Sequence, residues 1–250
     1  MKIFAIAALA LSIPAMAAPD AHCINGTCPA VPAGDTLVQH NVLTLANNPR
    51  TKYADWVAYR VTRDSIGYNC KRIWKTDPYL KPQDTLEPRD YSRASSVLHT
   101  DRGHAAPLAS LCKLKDWRET DYLSNITPQK ADLNRGAWKS LEGAVRGLVK
   151  SHKADAAYIL TGPIMGDKSE SLPSRPGVRI PVAYWKIVAR ISSGKIDAAA
   201  FVMPQTAPYA ASFCNYTVSI DYVENISKIS INSGLLSSHD NSKILKDLGC

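Results

Sequence analysis

Beyond its first residues this chain has no apolar run approaching the roughly 20 residues that a helix needs to cross a bilayer, so no later segment is expected to span a membrane. It also lacks internal repeats and any low-complexity linker, and the Pro- and Gly-rich stretch at 173–181 looks like a loop inside one unit. There is no close Cys-x-x-Cys or histidine pair of the kind that holds structural zinc, which leaves zinc the weaker reading of the cysteines. Acidic residues are fewer than basic ones, 22 against 30, giving a formal net charge of +8. Such a chain attracts polyanions, including nucleic acids and anionic surfaces, although the same charge also serves solubility alone.

The N-terminus reads as an export signal. Lys2, an apolar run from Ile3 to Ile13 and the small-residue end Ala15-Met16-Ala17 predict a signal peptide over 1–17, cleaved after Ala17. The remaining residues, 18–250, are expected to form a single domain that is secreted or periplasmic. Six cysteines suit an oxidising compartment. Local spacing favours Cys23 with Cys28. Cys214 with Cys250 would tie the last residue back to the body, worth roughly 3–4 kcal/mol in the chain-entropy model. Cys70 and Cys112 then remain by elimination.

Between Trp56 and Thr62 the residues alternate, with Val57, Tyr59 and Val61 on one side, which predicts a strand. Ala156 to Thr161 predicts a second, Tyr184 to Ile191 and Ala198 to Met203 a hairpin turning near Gly194, and Tyr216 to Tyr222 a fifth. From Asp132, read as an N-cap, Leu133, Ala137, Trp138, Leu141, Val145, Leu148 and Val149 recur at helical intervals. Gly136 and Gly147 weaken that helix, each by about 1 kcal/mol relative to Ala. Several strands without regular strand-helix alternation point to an α+β fold with a central antiparallel sheet.

The chemistry concentrates in one stretch: Asp101-Arg102-Gly103-His104, then Asn125 to Gln129, then Asn134 through Glu142. Breaking a phosphodiester requires a proton acceptor, positive charge facing the transition state and support for the leaving oxygen. His104 suits the first, since imidazole ordinarily titrates near pH 6.5. An isolated histidine more often caps a turn or fills a core gap, but Arg102 and Gly103 beside it weigh against that. Asp101 is expected to anchor the loop through backbone hydrogen bonds. Asn134 offers an amide oxygen to a hard cation, against the plain reading of a polar residue in a first helical turn. Glu142, eight positions on, would lie about 12 Å up a straight helix and roughly 80° around it, so sharing an ion directly is doubtful and contact through water easier; its plain role is a pair with Arg146. Arg72, Arg102 and Arg146 offer rigid forks matched to phosphate oxygens, where a single arginine would be mere surface charge.

These residues, with Asn48 to Tyr59, Trp74 to Pro78, Tyr122 to Lys130, Ile180 to Lys186 and the terminal cysteine, resemble the DNA/RNA non-specific endonucleases of the ββα-metal class over most of residues 18–250. The resemblance implies a six-stranded antiparallel sheet flanked by helices and long loops, with a ββα-metal motif at the site. It implies His104 as general base, Asn134 as the direct ligand of Mg²⁺ (with Mn²⁺ as a substitute), Glu142 holding metal-bound water, Asn125 supporting the site, and Arg72, Arg102 and Arg146 stabilising phosphate charge. The implied substrates are DNA and RNA, cut to 5′-phosphorylated fragments. A homodimer is compatible with the resemblance, and no residue here decides it. Cys70 and Cys112 depart from the family pattern; bonded, they would tie the segment before Arg72 to the one after His104. The competing functions are a catalytically inactive exported nucleic-acid-binding or capture protein, which the full set of candidate side chains argues against, and a disulfide-stabilised structural domain.

Overall fold

The alternating segment forms the long strand β3 (Ala54–Thr62), and its alternation divides two cores. Val57, Tyr59 and Val61 face one apolar cluster, while Trp56 and Ala58 face another on the opposite side of the sheet. This computed structural model describes residues 20–167, 169–192, 194–231 and 241–250; the export signal expected at 1–17 lies outside the described residues.

Seven strands make one antiparallel sheet in the order β1 (Thr36–Gln39), β2 (Thr44–Asn47), β3, β6 (Ala156–Ile164), β9 (Ala183–Ser192), β10 (Lys195–Pro204), β11 (Thr217–Val218). The expected hairpin is β9–β10, paired from Ser192↔Lys195 to Ala183↔Pro204, with Gly194 at φ 74° in the turn. Two separate pairs stand outside this sheet: β4 (Thr100–His104) with β5 (Ile126–Lys130), and β7 (Ser171–Leu172) with β8 (Arg175–Arg179).

The fifth strand expected over Tyr216 to Tyr222 is corrected. Only Thr217–Val218 pair, making β11 the seventh strand where six were expected. Ser219 then caps a helix, Ile220–Ser227, by accepting from the Tyr222 amide at 3.1 Å, and Asp221 favours its first turn. A local cap thus wins over a short alternating pattern.

The helix α1 (Lys139–Lys150) lays Leu141, Val145, Leu148 and Val149 on the β3 side of the sheet, where the C-terminal helix α2 (Ser242–Leu248) adds Ile244 and Leu248. Full burial of each such side chain stabilises by about 1.5–3 kcal/mol. All six cysteines are paired as expected: Cys23–Cys28, Cys70–Cys112 and Cys214–Cys250, with Cα separations of 5.1, 6.0 and 5.5 Å. No free thiolate is left to bind zinc.

At the entry to β1 the two oxygens of the Asp35 carboxyl are buried without a hydrogen-bond partner, near the charge of Asp55 on β3. Burial, then the Asp55 charge, push Asp35 up to about 7 against the pull of Arg50. A carboxyl whose folded value is raised favours the fold while it keeps its proton, and that contribution disappears as pH climbs from about 3.8 through about 7. Asp35→Asn is therefore expected to raise the melting temperature at pH 8, with the gain shrinking toward pH 4; equal effects at both pH values in thermal melts would show that burial does not hold a proton on Asp35.

Candidate active site

Strands β4 and β5 pair with Asp101 opposite Gln129, Gly103 opposite Thr127 and His104 opposite Ile126. A Cβ on Gly103 would stand 2.6 Å from Gln129 Oε1 and 2.7 Å from Gln129 Cβ, so glycine is what lets the two strands close. Two residues apart on β4, Arg102 and His104 share a face, and Trp74 packs between them. Its ring lies 5.2 Å from the His104 ring and 5.4 Å from the Arg102 guanidinium carbon, which has Tyr91 at 5.4 Å as well. Arg102 Nη2 also donates to the Pro88 carbonyl at 2.9 Å.

His104 Nε2 lies 3.3 Å from Oδ1 of the fully buried Asp121. Just past the histidine, Asn125 clasps the backbone of Ala106, accepting from its amide at 2.8 Å and donating to its carbonyl at 3.0 Å, and also donates to the Thr120 carbonyl at 2.8 Å. Asn125 is buried behind the cleft and is not part of its lining.

The helix expected from Asp132 is not straight. It starts at Ala131 after Lys130, so Asp132 lies within its first turn and does not cap it. A wide π turn, Asn134–Trp138, follows, and Gly136 leaves helical geometry at φ −95°, ψ −113° before α1 begins at Lys139. A Cβ at Gly136 would meet the Tyr209 carbonyl oxygen at 2.3 Å. The straight-helix separation of Asn134 from Glu142 therefore does not apply, and both line the same cleft.

Asp101 reaches this helix through its side chain, correcting the backbone role expected for it. Its carboxylate accepts from Asn134 Nδ2 at 2.9 Å and from Arg135 at 2.8 and 2.7 Å. Burial pushes the Asp101 carboxyl up, but the hydrogen bonds from Arg135 and Asn134 and the Arg135 and Arg72 charges outweigh it, holding the group below the usual carboxylate range. With its nitrogen so engaged, the Asn134 amide presents its oxygen as acceptor.

Glu142 lines the cleft as a half-buried residue. Burial pushes its carboxyl above the ordinary range despite the positive charges of Lys186, Arg146 and Arg72 around it. Lys186, fully buried on β9, is pushed down to about 8 by burial, while Glu142 pulls it back up. Its ammonium donates to Tyr59 Oη at 3.2 Å and to the Ala105 carbonyl at 3.4 Å, and lies 4.3 Å from the Trp138 ring centre. The Glu142–Arg146 pair that was the plain alternative for Glu142 does not form among the described residues; Arg146 Nη1 donates to Ser110 Oγ at 3.3 Å instead.

Arg72, Arg102, His104, Asn134, Glu142 and Arg146 all line one open cleft of about 590 Å³, joined by Trp74, Arg135 and Lys139. The oxygen donors on offer, an amide and a carboxylate, suit a hard divalent cation that keeps most of its waters. The DNA/RNA non-specific endonuclease family model matches residues 27–238. The chain belongs to that family. It is 41% identical over 241 residues to the "Nuclease" of Serratia marcescens, covering 94% of this chain and 90% of that one. It is 28% identical to human mitochondrial Endonuclease G over 73% of this chain and 65% of the human protein. Among solved structures, a chain of an EndoG/EndoGI complex superposes with a TM-score of 0.70 at 27% identity, covering 82% of this chain and 90% of that chain.

Of the residues around the cleft, sequence reasoning missed Asp121 and quoted Trp74 and Lys186 without giving either a role. Nothing local marks the two charged residues as buried, since burial is settled by packing from distant segments. If Gly136 is what permits the bend, Gly136→Ala should lose roughly 1–3 kcal/mol by forcing contact with the Tyr209 backbone; a chemical denaturation midpoint equal to wild type would show that the bend has another origin.

Proposed function

We propose that this chain is an exported, metal-dependent endonuclease that hydrolyses phosphodiester bonds of DNA and RNA alike, leaving 5′-phosphorylated fragments. One observation carries the reading: in a member of this family, His104, Asn134, Glu142 and three arginines line a single cleft. Three disulfides in the described residues support export.

In this reading His104 takes the proton from the attacking water. Arg72, Arg102 and Arg146 bind the phosphate oxygens and balance the charge that grows on them, with Arg102 held in place by the Trp74 and Tyr91 rings. Asn125 keeps the backbone after His104 from shifting, and Asp101 orients Asn134. Asn134 Oδ1 would hold Mg²⁺ (or Mn²⁺) directly and Glu142 through water. When bound, the ion supplies charge neutralisation at the leaving oxygen. Contacts made to phosphates carry no base sequence, which accounts for acting on DNA and RNA without preference.

With Mg²⁺ the purified protein is expected to fragment both plasmid DNA and bulk RNA, and EDTA to stop both reactions. Tight binding with intact substrate would favour the capture protein instead. His104→Ala should lower kcat by about 10²–10⁴-fold while DNA affinity in filter binding changes little; near-normal turnover would remove His104 from the base role. Because the chain is basic, KM for DNA should rise steeply between 50 and 200 mM salt, following the release of counterions from the phosphates.

A further inference from the structure

We propose that Asp121 is a positioning residue of this site, one of its carboxylate oxygens setting the proton of His104 on Nε2 while the other holds the segment that carries Arg72. The inference rests on the reading of His104 as the base. Asp121 ends a short 3₁₀ turn, Trp117–Asp121, and its side chain is fully buried. Oδ1 faces His104 Nε2 at 3.3 Å, and Oδ2 accepts from the Ile73 amide at 2.7 Å.

One oxygen thus accepts from a backbone N–H and the other faces a ring nitrogen. A neutral imidazole carries one N–H and one lone pair, and a buried carboxylate beside Nε2 favours the N–H on that nitrogen, because a lone pair there would face negative charge. Nδ1 is then the unprotonated nitrogen and is free to accept a proton. When the ring takes that second proton, the same carboxylate offsets the positive charge without having to move.

The other oxygen acts on a different catalytic group. Ile73 follows Arg72 directly, and the same segment continues alongside residues 121–123, with the Lys75 amide donating to the Asp121 carbonyl at 3.2 Å and the Leu123 amide to the Lys75 carbonyl at 2.9 Å. Two residues before Arg72, Cys70 is bonded to Cys112. Arg72 therefore stands between a covalent anchor and the Asp121 carboxylate, although the arginine itself is solvent-exposed. One buried carboxylate couples the ring on β4 to the otherwise irregular segment opposite it.

Two variants separate the two links. Asp121→Ala removes both and is expected to lower kcat/KM by at least roughly 100-fold. Asp121→Asn keeps the shape but has only one acceptor oxygen, so either His104 or Ile73 must face its NH₂ group, and an intermediate loss is expected. Melting temperatures establish that both variants fold. Nitrogen chemical shifts of the His104 ring, read at alkaline pH in isotope-labelled protein without substrate, should show the Nε2–H form in wild type and a gain of the Nδ1–H form in Asp121→Ala. Hydrogen exchange at the Ile73 amide should quicken in the same variant. These two readings do not depend on turnover, so they test the inference even if the nuclease reading fails. Folded variants with wild-type kcat/KM, an unchanged ring tautomer and unchanged Ile73 exchange would overturn it.

Discussion

At Gly136 the path of the chain passes so close to the Tyr209 carbonyl that no side chain fits, and there the helix begun at Ala131 opens into a wide turn before closing again as α1. The placement of the functional side chains depends on this contact. An unbroken helix would put Asn134 and Glu142 about 12 Å apart along its axis and partly turned from each other. With the turn in place, residues 134, 135, 139, 142 and 146 all reach one cleft, and the apolar positions from Leu141 to Val149 still pack on the sheet. The site therefore sits where backbone irregularity and sheet packing are satisfied together.

Electrostatic balance around that turn follows a consistent pattern. Each acidic side chain of the site meets donors or positive charge: Asp101 holds Arg135 and Asn134, Asp121 meets His104 and the Ile73 amide, and Glu142 lies among Lys186, Arg146 and Arg72. Buried charge without such company would cost several kcal/mol. The acids thus fix the neighbours they contact, while Arg72, Arg102, Arg146 and Lys139 leave the cleft lining dominated by positive charge. Lys186 extends this arrangement into the core, where a lysine is tolerated because Tyr59, the Ala105 carbonyl and the Trp138 ring receive it.

Much of the fold was legible from residue order. Strand alternation from Trp56 to Thr62 sorted side chains correctly between two cores, the β9–β10 hairpin turned where its glycine stood, and the cysteines paired by local spacing and elimination. At Tyr216 to Tyr222 the alternation misled, because the Ser219 cap is a stronger local signal than a few alternating residues with only two partners to pair with. Six side chains expected in the cleft are there, and Asn125 lies buried just behind it. Their grouping was suggested by motif order, not by periodicity, which did not foresee the wide turn between Asn134 and Glu142.

The sequence by itself determined which elements could form, which side of each would be apolar and which chemical groups were available, since these depend on spacing, propensity and side-chain type within a few residues. Only the tertiary structure decided that Asp121 lies under His104, that Lys186 stands behind Glu142 and that Arg146 turns to Ser110 instead of its helical neighbour. Those outcomes depend on burial and on partners from distant parts of the chain. A charged residue has no way to signal in sequence that it will be enclosed, because its enclosure is produced by the packing of segments tens of residues away.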